Sequence, residues 1–118
     1  GGAQMTSIPL SDETVGRKID EMVRRIVEHV KPDRIVLFGS HARGHARPDS
    51  DVDLLVVVRD GDDIRALTVR LYRLLAGMGV PKDLVVVTLG EFERFKDVPG
   101  TVVRVAHLEG RVLYVSTP

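Results

Sequence analysis

The order of apolar and polar residues predicts a chain of alternating helices and strands. Over 11–30 and 64–75, apolar side chains recur at spacings of three and four, the period of an amphipathic helix. Short apolar runs rich in β-branched residues predict buried strands. The predicted strands are 34–38, 51–58, 84–88 and 112–115, and two further helices are predicted over 91–95 and 102–108. This order favours an α/β (α+β) fold, a small mixed sheet of about four strands with helices packed on one face.

The length indicates a single domain. A chain of 118 residues with 43% hydrophobic and 29% charged residues can bury one core but is short for two. Gly1 to Gln4 are interpreted as a cloning remnant ahead of a start at Met5, so 5–118 is expected to form the domain.

Charge and cysteine content exclude several classes of function. Lysine plus arginine and aspartate plus glutamate both number 17, so no overall charge draws the chain to nucleic acid or membranes. The absence of cysteine excludes disulfides, thiolate metal sites and cysteine nucleophiles. No apolar run approaches the roughly 20 residues of a membrane span, so a cytoplasmic protein is expected.

Candidate chemistry is concentrated between the first two predicted strands. Gly39 and Ser40 leave the end of one strand, and Gly44 allows a turn closed to other residues. Backbone amides and the Ser40 hydroxyl at such a turn can cradle a phosphate. The P-loop and the dinucleotide fingerprint do not match this segment.

Three aspartates complete the candidate site. Asp51 and Asp53 lie two residues apart on a predicted strand, so their carboxylates project from the same face. Asp83 begins the next predicted strand and can reach the same site if the two strands are neighbours. Carboxylate oxygens suit Mg²⁺ or Mn²⁺, and a pair of such ions can clamp the oxygens of a phosphoryl or nucleotidyl transfer.

The segment resembles a known signature. Gly39-Ser40, a ten-residue spacer and Asp51-Val52-Asp53 are similar to the glycine-serine and Asp-x-Asp signature of the polymerase-β-like nucleotidyltransferase superfamily. The fuller string GSHARG followed by SDVDLLVV resembles its minimal nucleotidyltransferases, compact proteins often encoded beside a HEPN-domain protein. The resemblance covers nearly the whole chain.

This resemblance implies a set of residue roles. Gly39, Ser40 and Arg43 would bind the triphosphate of ATP, and Asp51, Asp53 and Asp83 would bind two Mg²⁺ ions. Asp83 would also help activate the attacking hydroxyl. The activity implied is that of a protein adenylyltransferase, an antitoxin that transfers AMP to a tyrosine of a HEPN-type toxin.

Two other functions stay open at this stage. A non-catalytic module would bind nucleotide or block the partner sterically, in a hetero-oligomer. Transfer to a small molecule is the second, with a homo-oligomer supplying the pocket that so short a chain lacks.

Several other residues have ordinary structural interpretations. His41 and His45 lack a third nitrogen ligand for zinc. Arg43 has two possible roles, a contact with phosphate or a salt bridge within its loop. Tyr72 and Tyr114 are expected to pack with their hydroxyls directed outward. The basic residues of the first helix alternate with acids and no aromatic residue accompanies them, so direct nucleic-acid binding is not expected. They are Arg17, Lys18, Arg24 and Arg25.

Overall fold

The computed structural model describes residues 13–47 and 49–117, so the interpretation of Gly1 to Gln4 and Met5 lies outside the described residues. Within these ranges the predicted elements are confirmed to within a few residues at each end. The helices are α1 (Glu13–Val30), α2 (Ser40–Arg43), α3 (Ile64–Leu74), α4 (Leu89–Phe95) and α5 (Val102–Glu109). The strands are β1 (Arg34–Phe38), β2 (Val52–Val58), β3 (Lys82–Thr88) and β4 (Arg111–Val115).

The four strands form one mixed sheet in the order β3-β2-β1-β4. β1 runs antiparallel to both of its neighbours, β2 and β4, whereas β2 and β3 are parallel. A parallel pair needs a crossover connection, and α3 supplies it. The mixed sheet expected from the sequence is confirmed.

Helices cover both faces of the sheet, so the expectation that they pack on one face is wrong. Leu54 and Val56 of β2 pack in one cluster with α1 and α3, whereas Leu55 and Val57 pack in a second cluster with α4 and α5. The physical reason is visible in β2 itself, because every residue from Leu54 to Val58 is at most 1% exposed. In a strand with one solvent-exposed face, buried and exposed side chains would alternate, whereas in β2 these residues are all buried.

Close packing holds α5 against the sheet. Gly110, which ends α5, has no room for a side chain, because a Cβ there would lie 2.3 Å from the Ala106 carbonyl oxygen and 2.5 Å from Val36 Cγ1. At the other end, the Thr101 hydroxyl caps α5 by accepting a hydrogen bond from the N–H of Arg104. Among the helices within 13–47 and 49–117, none combines the length and hydropathy that a bilayer crossing demands.

Candidate active site

Two of the three aspartates of the predicted site, Asp53 and Asp83, lie on one face of the sheet. In the parallel pair of β2 and β3, Asp53 is directly opposite Asp83. Two residues after Asp53 comes Leu55, and two residues after Asp83 comes Val85; both apolar side chains pack with α4 and α5. Since side chains alternate along a strand, Asp53 and Asp83 face the side of α4 and α5. Asp51 comes immediately before β2 and two residues before Asp53.

The charges of these carboxylates act on one another. The pKa of Asp53 is raised, first by burial and then by the negative charges of Asp83 and Asp51. His41 and Arg43 act in the opposite direction and lower the pKa of Asp53, although the net shift is upward. Asp51 and Asp83 are exposed whereas Asp53 is half-buried. The site therefore concentrates negative charge around Asp53.

Gly39 makes room for the Asp53 carboxylate. Its backbone has φ 76° and ψ −158°, a conformation that only glycine adopts readily. A Cβ at this position would lie 2.2 Å from Asp53 Oδ2 and 3.1 Å from Asp53 Cγ. The glycine of the glycine-serine pair thus brings the backbone of the turn directly against the central aspartate.

Two side chains hold α2 beside the sheet. The ring of His41 is 2% exposed, and its Nε2 lies 3.1 Å from the carbonyl oxygen of Ser50, next to Asp51. From β4, Arg111 donates a hydrogen bond through Nε to the Ala42 carbonyl oxygen at 2.8 Å. Both ends of the connection from β1 to β2 are therefore tied together.

The rest of this connection is closed by its own polar groups. The N–H of Arg47 donates to the hydroxyl of Ser50 at 2.8 Å, and the N–H of His45 donates to the carbonyl oxygen of Ser40 at 3.0 Å. Ser40 begins α2 and is half-buried. The N–H groups at the start of a helix precede its first internal hydrogen bond, so the turn at Gly39 and Ser40 offers donors of the kind that bind phosphate.

Arg43 forms an ion pair outside its own loop, so the alternative of a salt bridge within the loop is not what the structure has. Its Nη1 lies 4.0 Å from Oε1 of Glu109 on α5, and both side chains are about half exposed. Such an exposed, long pair contributes little to stability. The guanidinium also lies near enough to Asp53 to lower the pKa of its carboxyl.

Asp83 has a partner that the sequence did not indicate. The hydroxyl of Tyr72, on α3, donates a hydrogen bond to Asp83 Oδ1 at 3.3 Å and accepts one from the N–H of Leu84 at 2.9 Å. The prediction that this hydroxyl is simply directed outward is wrong. Tyr72 is one residue away from the apolar stripe of α3, and no sequence motif marks it.

The carboxylates have the donor chemistry of a Mg²⁺ site. Oxygen ligands suit this hard cation, and an ion would stabilise the charged form of Asp53, whose pKa is raised by burial and by repulsion from Asp83 and Asp51. Within 13–47 and 49–117, however, no three His, Cys, Asp or Glu side chains already converge as a metal-binding group. Asp51 and Asp83 thus act on Asp53 through their charges, but the three aspartates do not form a closed set of ligands in the described residues.

The fold and the site define a class of α/β domain, one with a mixed four-stranded sheet and a glycine-serine turn packed against a strand carboxylate. Comparison with family models gives the specific family, because residues 19–113 match the nucleotidyltransferase domain. The match spans most of the sequence, and the chain belongs to the nucleotidyltransferase domain family. No curated protein matches the sequence.

Two solved structures share the fold. One is a candidate nucleotidyltransferase from Sulfolobus solfataricus, with a TM-score of 0.56, 21% identity and 88% of each chain covered. The other is a toxin–antitoxin complex with AMP-PNP, with a TM-score of 0.52 and 24% identity, covering 85% of this chain and 73% of that one. At these identities the likeness concerns the fold alone.

Proposed function

We propose that the chain transfers AMP from ATP to a hydroxyl of a partner protein, a tyrosine of a HEPN-type toxin, and so acts as its antitoxin. The observation that carries the proposal is the pairing of Asp53 with Asp83 on parallel strands, with Gly39 packed against the Asp53 carboxylate. The toxin–antitoxin complex with AMP-PNP, which shares the fold, supports the choice of adenine nucleotide and of partner class.

The turn at Gly39 and Ser40 binds the triphosphate in this proposal. Its backbone N–H groups and the Ser40 hydroxyl donate hydrogen bonds to phosphate oxygens, and Arg43 contributes positive charge. His41 and Arg111 keep α2 in place, so the donors are positioned before the nucleotide arrives.

Asp51, Asp53 and Asp83 would hold two Mg²⁺ ions, which supply positive charge for the triphosphate and the leaving pyrophosphate. In the transfer itself, the acceptor oxygen forms a bond to the α-phosphorus while the bond to the pyrophosphate oxygen breaks. Asp83 takes the proton of the acceptor hydroxyl, and its exposure leaves it open to a group brought by another protein.

Intact-mass measurement tests the proposal. The purified chain, a HEPN-type protein, ATP and Mg²⁺ are incubated together, and the partner is expected to gain one or more adenylyl groups. Asp53→Asn should remove the gain. Asp62→Asn is the matched control, since Asp62 is exposed in the turn after β2, and it should leave the gain unchanged.

The same experiment separates the alternatives. A tight complex without any mass change would replace the enzyme with a binding module. Transfer to an aminoglycoside offered in place of the protein would assign a small-molecule acceptor. Full activity of the Asp53→Asn variant would refute the proposed roles of the carboxylates.

A further inference from the structure

Tyr72 lies where the crossover helix meets the outer strand of the sheet. It belongs to α3, which connects β2 to β3, and β3 is an edge strand because the sheet order ends with it. The side chain is 39% exposed, yet its hydroxyl is bonded to the backbone and to a carboxylate of β3.

The two hydrogen bonds orient the phenol. A tyrosine hydroxyl has one proton to donate and can also accept. Because the N–H of Leu84 donates to the phenol oxygen at 2.9 Å, the phenol proton is directed to its acceptor, Asp83 Oδ1, at 3.3 Å. The first bond anchors the hydroxyl to the strand, and the second restrains the carboxylate of the preceding residue.

Asp83 needs such a restraint more than Asp53 does. Asp53 is half-buried against Gly39, whereas Asp83 is exposed on the edge strand. An exposed aspartate exchanges among rotamers, which spreads its two oxygens over several positions. A hydrogen bond to one oxygen reduces that spread beside Asp53, its partner in the strand pair. The bond from Tyr72 holds one carboxylate oxygen and leaves the second for a ligand.

We propose that Tyr72 is a positioning residue that holds Asp83 beside Asp53 for catalysis and ion binding. The inference rests on the proposed function for its catalytic part, whereas its ion-binding part can be tested without any transfer. Holding a catalytic group in place typically changes the rate of the chemical step rather than the binding of a substrate anchored elsewhere.

The first test is kinetic and uses Tyr72→Phe. This variant keeps the ring and removes the hydroxyl. We expect kcat to fall about tenfold, a typical effect of losing one hydrogen bond to a charged group. The KM for ATP should change less than about twofold, because the triphosphate is bound by the turn at Gly39. Tyr114→Phe on β4, at the opposite edge of the sheet, is the matched control and should retain kcat.

A double-variant cycle separates positioning from general destabilisation. In an Asp83→Asn background the carboxylate is already lost, so adding Tyr72→Phe should lower the residual kcat less than about twofold. An equal drop in both backgrounds would overturn the positioning role, because the hydroxyl would then act independently of Asp83.

Ion binding gives a readout that does not depend on transfer. Mn²⁺ is titrated into the chain alone and followed by electron paramagnetic resonance. We expect Tyr72→Phe to weaken binding severalfold and Asp83→Asn to weaken it more. If the wild-type chain transfers no adenylyl group but Mn²⁺ affinity still falls from wild type to Tyr72→Phe to Asp83→Asn, the proposed function fails while the positioning of Asp83 stands.

Three results would overturn the inference. Unchanged kcat in Tyr72→Phe together with unchanged Mn²⁺ binding would leave the hydroxyl a structural bond to Leu84 only. Unchanged Mn²⁺ binding in Asp83→Asn would remove Asp83 from the ion site. Finally, an adenylyl group recovered on Tyr72 of the chain incubated with ATP alone would make this tyrosine an acceptor rather than a positioning residue.

Discussion

The contact between Gly39 and Asp53 permits a quantitative test of the site's architecture. Gly39→Ala introduces two costs. The first is backbone strain, since φ 76° and ψ −158° lie in a region that costs other residues about 1–3 kcal/mol. The second is the overlap of the new Cβ with Asp53, whose Oδ2 and Cγ would lie 2.2 and 3.1 Å away. Forcing the carboxylate off its rotamer adds about 1 kcal/mol.

Asp53→Ala removes only the second cost. It deletes Oδ2 and Cγ and leaves the Asp53 Cβ at 3.5 Å, an ordinary van der Waals contact. Gly39→Ala should therefore destabilise the Asp53→Ala protein by about 1 kcal/mol less than it destabilises the wild type. For a domain of this size the difference corresponds to roughly 4 °C in Tm.

Thermal and urea unfolding of the four proteins measure this coupling. Gly44→Ala is the control, because Gly44 also has a positive φ, 74°, but a Cβ there would meet nothing within 4 Å. Its cost should be the same with or without Asp53. If Gly39→Ala costs equally much in both backgrounds, the carboxylate does not lie against Gly39 and this description of the site is refuted.

Three further outcomes are expected. Asp53→Asn should abolish transfer yet raise the free energy of unfolding at pH 7 by about 1 kcal/mol, because it removes a charge that burial and the neighbouring charges of Asp83 and Asp51 disfavour. Since the pKa of Asp53 is raised in the folded state, its ionised form costs stability above that pKa. The stability gained by the Asn variant should therefore shrink as the pH is lowered through the pKa of Asp53 in the folded protein. Denaturation curves measured over a pH series test this, and a gain that does not change with pH would contradict the assignment. His41→Ala should cost about 1–3 kcal/mol and speed amide exchange over 45–50, and unchanged exchange would show that the ring does not tie this loop. Gly110→Ala should destabilise by about 1–3 kcal/mol through overpacking while leaving ATP binding intact, checked by urea unfolding and calorimetry; a neutral effect would mean that α5 can move off β1.

Much of the architecture could be predicted from local patterns alone. The strands follow from short apolar runs such as that of β2, and α3 follows from an apolar stripe of helical period, because both signals are carried by neighbouring residues. The spacing of Asp51 and Asp53 predicts two neighbouring carboxylates for the same reason, and the charge of Asp51 does act on Asp53. The alignment of Asp83 with Asp53 required in addition that β2 and β3 be adjacent, parallel and in this register, which only the tertiary structure decides.

Contacts between distant residues were decided by the tertiary structure. The sequence does not show that Tyr72 bonds Asp83 across the edge of β3, or that Arg111 reaches Ala42 from the last strand. Nor does it assign α4 and α5 to the second face of the sheet. These features depend on how whole elements are oriented in three dimensions, whereas periodicity and spacing depend on the backbone geometry of one element at a time.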